Sequence, residues 1–194
     1  MNGTKTIIII GLLLVLIYLI RSKTTNLKYV RSDIDDREYL VRDQPDKQQA
    51  ANMLARIRSN IIKINDYLVS NIDKYPEMAD YIKQLDQKLK YTEYSESTED
   101  STYTSYSVNK GEQLVFCLRS RRIPSKMHDI NLIMYVTLHE MSHVACPEYG
   151  HGDLFKKIFG FITQVAIDQG FYKRIPFDKD PTEYCGLIIS DSIV

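Results

Sequence analysis

The chain has 194 residues, enough for one ordinary domain with appendages but not for two domains with separate large cores. Hydrophobic residues make up 44% and charged residues 26%, which excludes collagen-like, mucin-like and wholly disordered architectures. Lys+Arg and Asp+Glu number 25 each, so the formal charge is zero, and nucleic acid gripped through its phosphates is not an expected partner. The first feature in chain order is Ile7 to Ile20, fourteen uncharged and almost wholly aliphatic residues, IIIIGLLLVLIYLI. A full span needs roughly 20 such residues, but Lys and Arg can snorkel from the ends, and no small-residue cleavage pattern of a signal peptide follows. Residues 1–22 therefore read as a membrane anchor. Lys5 precedes the run, whereas Arg21, Lys23, Lys28 and Arg31 follow it, so the expectation is a single-pass membrane protein with its C-terminal domain on the cytosolic side. Cys117, Cys146 and Cys185 stand far apart and read as buried thiols in a reducing compartment.

Residues 23–46 are polar and mixed in charge and read as a tether that Pro45-Asp46 closes. From Lys47 to Ile72 apolar residues recur at steps of three and four, which predicts an amphipathic helix. Pro76 suits the first turn of a second helix with Met78, Ile82, Leu85 and Leu89 on one face. This pair, 47–90, reads as scaffold. The Ser-, Thr-, Tyr- and Glu-rich stretch Tyr91 to Tyr106 reads as a surface loop. Next comes a hairpin pattern, TYTSYSV, a turn at Asn109-Lys110-Gly111, and EQLVFCLRS, whose strand Leu114–Leu118 is apolar on both faces. Arg119, Arg121 and Arg122 read as a solvated basic loop, and His128 as a surface residue. A helix from about Asp129 to Val144 is apolar all round, the mark of burial, with Asp129 as N-cap and Cys146-Pro147 as its end. Asp153 to Gly170 predicts another helix, and the tail predicts a loop followed by a strand or turn.

The buried helix contains His139-Glu140-Met141-Ser142-His143. Four residues turn an α-helix by about 400°, so the two imidazoles lie about 40° apart and one turn from each other, where both can reach one metal ion. Two histidines and a glutamate on an otherwise apolar helix would go unsatisfied unless something paired with them, and a metal does so. Glu140 lies beside the first ligand and can act as general base toward a metal-bound water. A catalytic zinc needs a third protein ligand. His151 leads, eight residues past His143 and across the Pro147 break, with Glu148 and then Cys146 behind it. Asp153 reads as complementing the positive end of its helix.

His-Glu-x-x-His followed by Gly150-His151-Gly152-x-x-Phe155 resembles the zincin metallopeptidases of the WLM and SprT-like group, and most of all the small zincin-like proteins of large DNA viruses. The likeness runs from about Ser105 to Ile193. It implies an α+β fold: a compact zincin-like domain with a buried active-site helix and a short hairpin or sheet, a zinc site (Zn2+) of His139, His143 and His151, and Glu140 as catalytic acid/base. Together with the N-terminal segment, the expected organisation is a transmembrane helix over 1–22, a tether over 23–46, and a metallopeptidase domain over 47–194 whose zinc-site core is 102–194. The expected function is membrane-anchored, zinc-dependent hydrolysis of a peptide or protein substrate that adds as a strand beside Leu114–Leu118, with Tyr184 as oxyanion donor. The alternative is a catalytically silent structural or interaction protein of a virion or cellular membrane.

Overall fold

The computed structural model describes residues 9–13, 26–123 and 126–194. Two antiparallel strands come first, β1 (Leu27–Arg31) and β2 (Glu38–Arg42). They occupy the segment expected to be a tether. The signal is the alternation of Tyr39 and Val41, which are buried, with the less buried Glu38 and Leu40. The flanking charges of DIDDRE obscured it.

Helix α1 (Lys47–Ser70) follows, and its inward face is the one that the periodicity predicts, running through Leu54, Ile57, Ile61, Ile64 and Leu68. Two 3-10 turns, the second opened by Pro76, lead into α2 (Ala79–Leu89), which buries Ile82 and Leu85. Strand β3 (Glu93–Glu96) then lies inside the stretch expected to be a surface loop. The expected hairpin is present as β4 (Tyr106–Val108) and β5 (Gln113–Phe116), paired antiparallel. All five strands form one mixed sheet in the order β1-β2-β3-β5-β4, with β3 parallel to both β2 and β5. Helices α3 (Ile130–Ala145) and α4 (Asp153–Asp168) follow, and the tail forms a small hairpin of β6 (Thr182–Tyr184) and β7 (Leu187–Ile189). The result is an α+β fold in which α1 packs on the sheet, and α3 lies between α1, α2, α4 and the β4 edge.

Burying β3 brings a carboxylate into the core. Glu96 and Arg119 are 1% and 2% exposed. Glu96 Oε1 pairs with Arg119 Nη1, and Glu96 Oε2 accepts from the Arg42 backbone N–H at 2.8 Å. Arg119 Nη2 donates to Asp46 Oδ1 at 2.6 Å, so the residue that begins α1 spends its carboxylate on Arg119, not on capping its own helix. Arg119 is thus a core residue, not part of a solvated basic loop. Removing one partner of a buried ion pair leaves the other charge stranded. Glu96→Gln is expected to lower unfolding stability in urea by about 3 kcal/mol, and a loss below about 1 kcal/mol would show that the pair matters little.

The membrane expectation is not supported. Among the described residues no helix is long and apolar enough to cross a membrane. Residues 9–13 are helical, and the rest of the expected anchor, 1–22, lies outside the described residues. The physical shortfall is length. Fourteen uncharged residues make about 21 Å of helix against a hydrocarbon core of about 30 Å. The single-pass topology and the cytosolic-side placement inferred from it fall together.

Candidate metal centre

The sequence places two histidines on one face of α3, and the fold opens that face alone. Asp129 caps the helix, its side chain accepting from the Asn131 backbone N–H at 2.8 Å. From Leu132 to Ala145 every residue is buried except His139 and His143, which are half-buried. The helix ends at Cys146, whose extended backbone precedes Pro147. The chain then doubles back through Gly150, at φ 82°, into α4. This reversal returns His151 to the exposed face of α3.

The Nε2 atoms of His139, His143 and His151 lie 3.1 Å from one another in all three pairs. Each Nε2 has a single in-plane direction for one proton or one lone pair, so three nitrogens cannot satisfy each other by mutual hydrogen bonds. They converge on a common point instead. Ligands arranged tetrahedrally about 2.05 Å from an ion are separated by about 3.3 Å, close to the spacing present. Burial, followed by the neighbouring imidazoles, lowers the His139 pKa to about 3. Burial, then His151 and Lys110, lowers that of His143 to about 4. Both rings are therefore neutral near pH 7, the state in which imidazole binds a cation. Glu148, the rival third ligand, is exposed in the same loop, and Cys146 is buried without a disulfide partner.

Phe155, one turn into α4, holds the three rings. It stacks on His143 at 4.3 Å between centroids and meets His139 and His151 at 4.9 and 4.8 Å. The sequence marks Phe155 only as the end of the Gly150-His151-Gly152-x-x-Phe155 pattern, not as a residue that packs against the rings. Glu140 is 4% exposed and accepts from the Ser107 backbone N–H on β4. Burial pushes its carboxyl up to about 8, partly offset by that hydrogen bond.

A cleft of about 660 Å3 lies over these groups. The three histidines and Glu140 line it beside Ser107 of β4 and Ser105 just before that strand, and Tyr135, Val136 and Phe159 supply an apolar wall. Tyr184 also lines it, but its hydroxyl is 2.6 Å from Ser105 Oγ and the residue is 2% exposed. Burial raises its pKa.

Three expectations need correcting here. The Leu114–Leu118 segment cannot accept an added strand, because β5 is already paired with β3 on one side and β4 on the other. The free edge beside Glu140 belongs to β4. His128 is not a surface residue. It is 6% exposed, its Nε2 accepts from the Cys185 backbone N–H at 3.2 Å, and burial lowers its pKa. It stands beside Cys117 and Cys185, which form a disulfide where isolated thiols were expected.

Comparison with known proteins gives relatives in large DNA viruses. Uncharacterised protein R325 of Acanthamoeba polyphaga mimivirus is 45% identical over 196 residues, covering 99% of both chains. The chain belongs to the family of that mimivirus protein. Shorter matches reach uncharacterised protein 042R of Invertebrate iridescent virus 3, 39% identical over 84 residues, and 136R of Invertebrate iridescent virus 6, 35% identical over 83. These cover 43% and 42% of this chain, and 50% and 44% of the iridescent-virus proteins. No family model matches the sequence. Among solved structures, Wss1 from Saccharomyces cerevisiae is similar with a TM-score of 0.43 and 20% identity, over 67% of this chain and 89% of that one.

Proposed function

We propose that the protein is a zinc-dependent metallopeptidase in which His139, His143 and His151 hold the metal and Glu140 is the general base. The observation that carries the reading is the convergence of three Nε2 atoms, 3.1 Å apart, beside the buried Glu140 on the floor of an open cleft. Three nitrogen ligands with the cleft left open on the fourth side suit a catalytic ion better than a structural one, which is closed by four protein ligands. When bound there, zinc would supply Lewis acidity to a carbonyl and to a water.

The protein's own groups divide the remaining tasks. An extended peptide lies along the free edge of β4, held by strand addition through backbone groups that Glu140 does not engage. Burial alone would keep Glu140 protonated near pH 7; a zinc ion held beside it would favour the carboxylate, which takes the proton of the attacking water and gives it to the leaving amine nitrogen. The Ser107 N–H keeps that carboxylate aimed into the cleft. Tyr184 is assigned the oxyanion donor, turning its hydroxyl from Ser105 toward the developing charge. Tyr135, Val136 and Phe159 form the apolar wall and exclude water. The test is metal analysis of the purified full chain, paired with cleavage of an unfolded protein substrate. One zinc per chain is expected, with cleavage that a chelator abolishes and zinc restores. Cleavage that persists after the metal has been stripped would overturn the reading.

A further inference from the structure

We propose that Lys110 is a positioning residue of this centre: its ammonium locks the loop that carries His151 and so sets the third imidazole against the pair on α3. The proposal rests on the reading of the three histidines as metal ligands.

His139 and His143 are fixed relative to each other by one turn of helix. His151 has no such constraint, since it lies beyond the end of α3 in a segment exposed from Pro147 to Gly152. Apart from Phe155 against the His151 ring, apolar packing does not hold that segment. Tyr149 is 89% exposed, and a Cβ built on Gly150 would meet nothing within 4 Å. What holds it is a charge. Lys110 Nζ donates to the carbonyl oxygens of Cys146, Pro147 and Glu148 at 2.8, 2.7 and 2.8 Å. That uses all three donors of the ammonium. The same nitrogen lies 4.3 Å from the centroid of the Tyr149 ring. Four consecutive loop residues therefore converge on one cation, which also sits at the negative end of the α3 dipole.

Lys110 is itself held in place. It occupies the turn between β4 and β5, where Asn109, Lys110 and Gly111 have φ of 46°, 53° and 113°. Gly111 sits so close to α3 that a Cβ there would come within 2.9 Å of Val144 Cγ1. Asn109 Nδ2 donates to Glu112 Oε2 at 2.7 Å and closes the turn. One turn thus ends the strand that orients Glu140 and also fixes the loop that carries His151.

Lys110→Met keeps the length of the stem and removes the three donors. In the full chain, zinc affinity measured by chelator competition should fall about 10- to 100-fold, the scale of changes to groups that orient metal ligands. The visible spectrum of the cobalt-substituted protein should shift toward that of His151→Ala. Lys110→Arg still donates to carbonyls and should recover most of both. A Lys110→Met protein with wild-type affinity and spectrum overturns the proposal. So does a Lys110→Arg protein as impaired as Lys110→Met. A Lys110→Met chain that circular dichroism shows to be unfolded without metal overturns it as well, because the role would then belong to the fold. If His151→Ala keeps wild-type affinity and spectrum, the ligand reading itself fails, and the proposal falls with it.

Discussion

Glu140→Gln is expected to retain one zinc per chain and to lose peptide hydrolysis by a factor of about 10^2 to 10^4, the usual contribution of a positioned acid–base group. The substitution is close to isosteric. Its side-chain carbonyl can still accept from the Ser107 N–H, so β4 and α3 keep their contact. What disappears is the ability to take a proton from water and pass it on. Glu140 sits between the two histidines in sequence, but its side chain is held toward β4, so the metal should not notice the change. The measurement is steady-state turnover of a peptide substrate beside zinc content by elemental analysis. Turnover within threefold of wild type would sink the assignment of Glu140. Loss of zinc together with activity would instead point to a ligand role for the carboxylate.

His151→Ala should release the zinc. Removing one of three nitrogens leaves a two-ligand site on α3 that dialysis should empty. Because the unfolded chain has no preformed site, metal affinity appears directly as stability. Free zinc at about 100 times the dissociation constant stabilises the folded state by about 2.7 kcal/mol, and the His151→Ala protein should lose most of that gain at the same zinc concentration. Glu148→Ala, in the same exposed loop, is the rival test. If zinc stoichiometry and zinc-induced stabilisation survive His151→Ala but fall with Glu148→Ala, the third ligand is the carboxylate.

The candidate centre was readable in the sequence because each of its parts leaves a local mark. Helical spacing placed His139 and His143 together, the apolar surroundings demanded a partner for them, and the Pro147 break followed by a new helix gave the chain a reason to return at His151. Helix α1 was readable from a sustained apolar period, and α3 from an apolar run that wraps the whole helix. The sheet was harder. Strands β2 and β3 carry Arg42 and Glu96, which by composition belong at a surface, yet both are buried because they meet each other and Arg119 across the sheet. Such a pairing joins residues 54 and 23 positions apart, and no local pattern records it. The same limit applies to the substrate edge. The apolar character of Leu114–Leu118 fits the burial of that segment, but strand order decides which strand is left with a free edge, and that strand is β4. Lys110 escaped notice as an ordinary turn residue, since its three acceptors lie 36 to 38 positions away.

The bond between Cys117 and Cys185 joins positions separated by 68 residues, and both α3 and α4 lie between them. The exposed segment from Pro147 to Gly152 is inside that ring. A proteolytic cut there, whether by a host enzyme or by a second copy of this chain, would open the backbone without dividing the molecule. A cut before His151 would leave His139 and His143 on one piece and His151 on the other, the two joined by the disulfide as well as by the packing of α4 on α3.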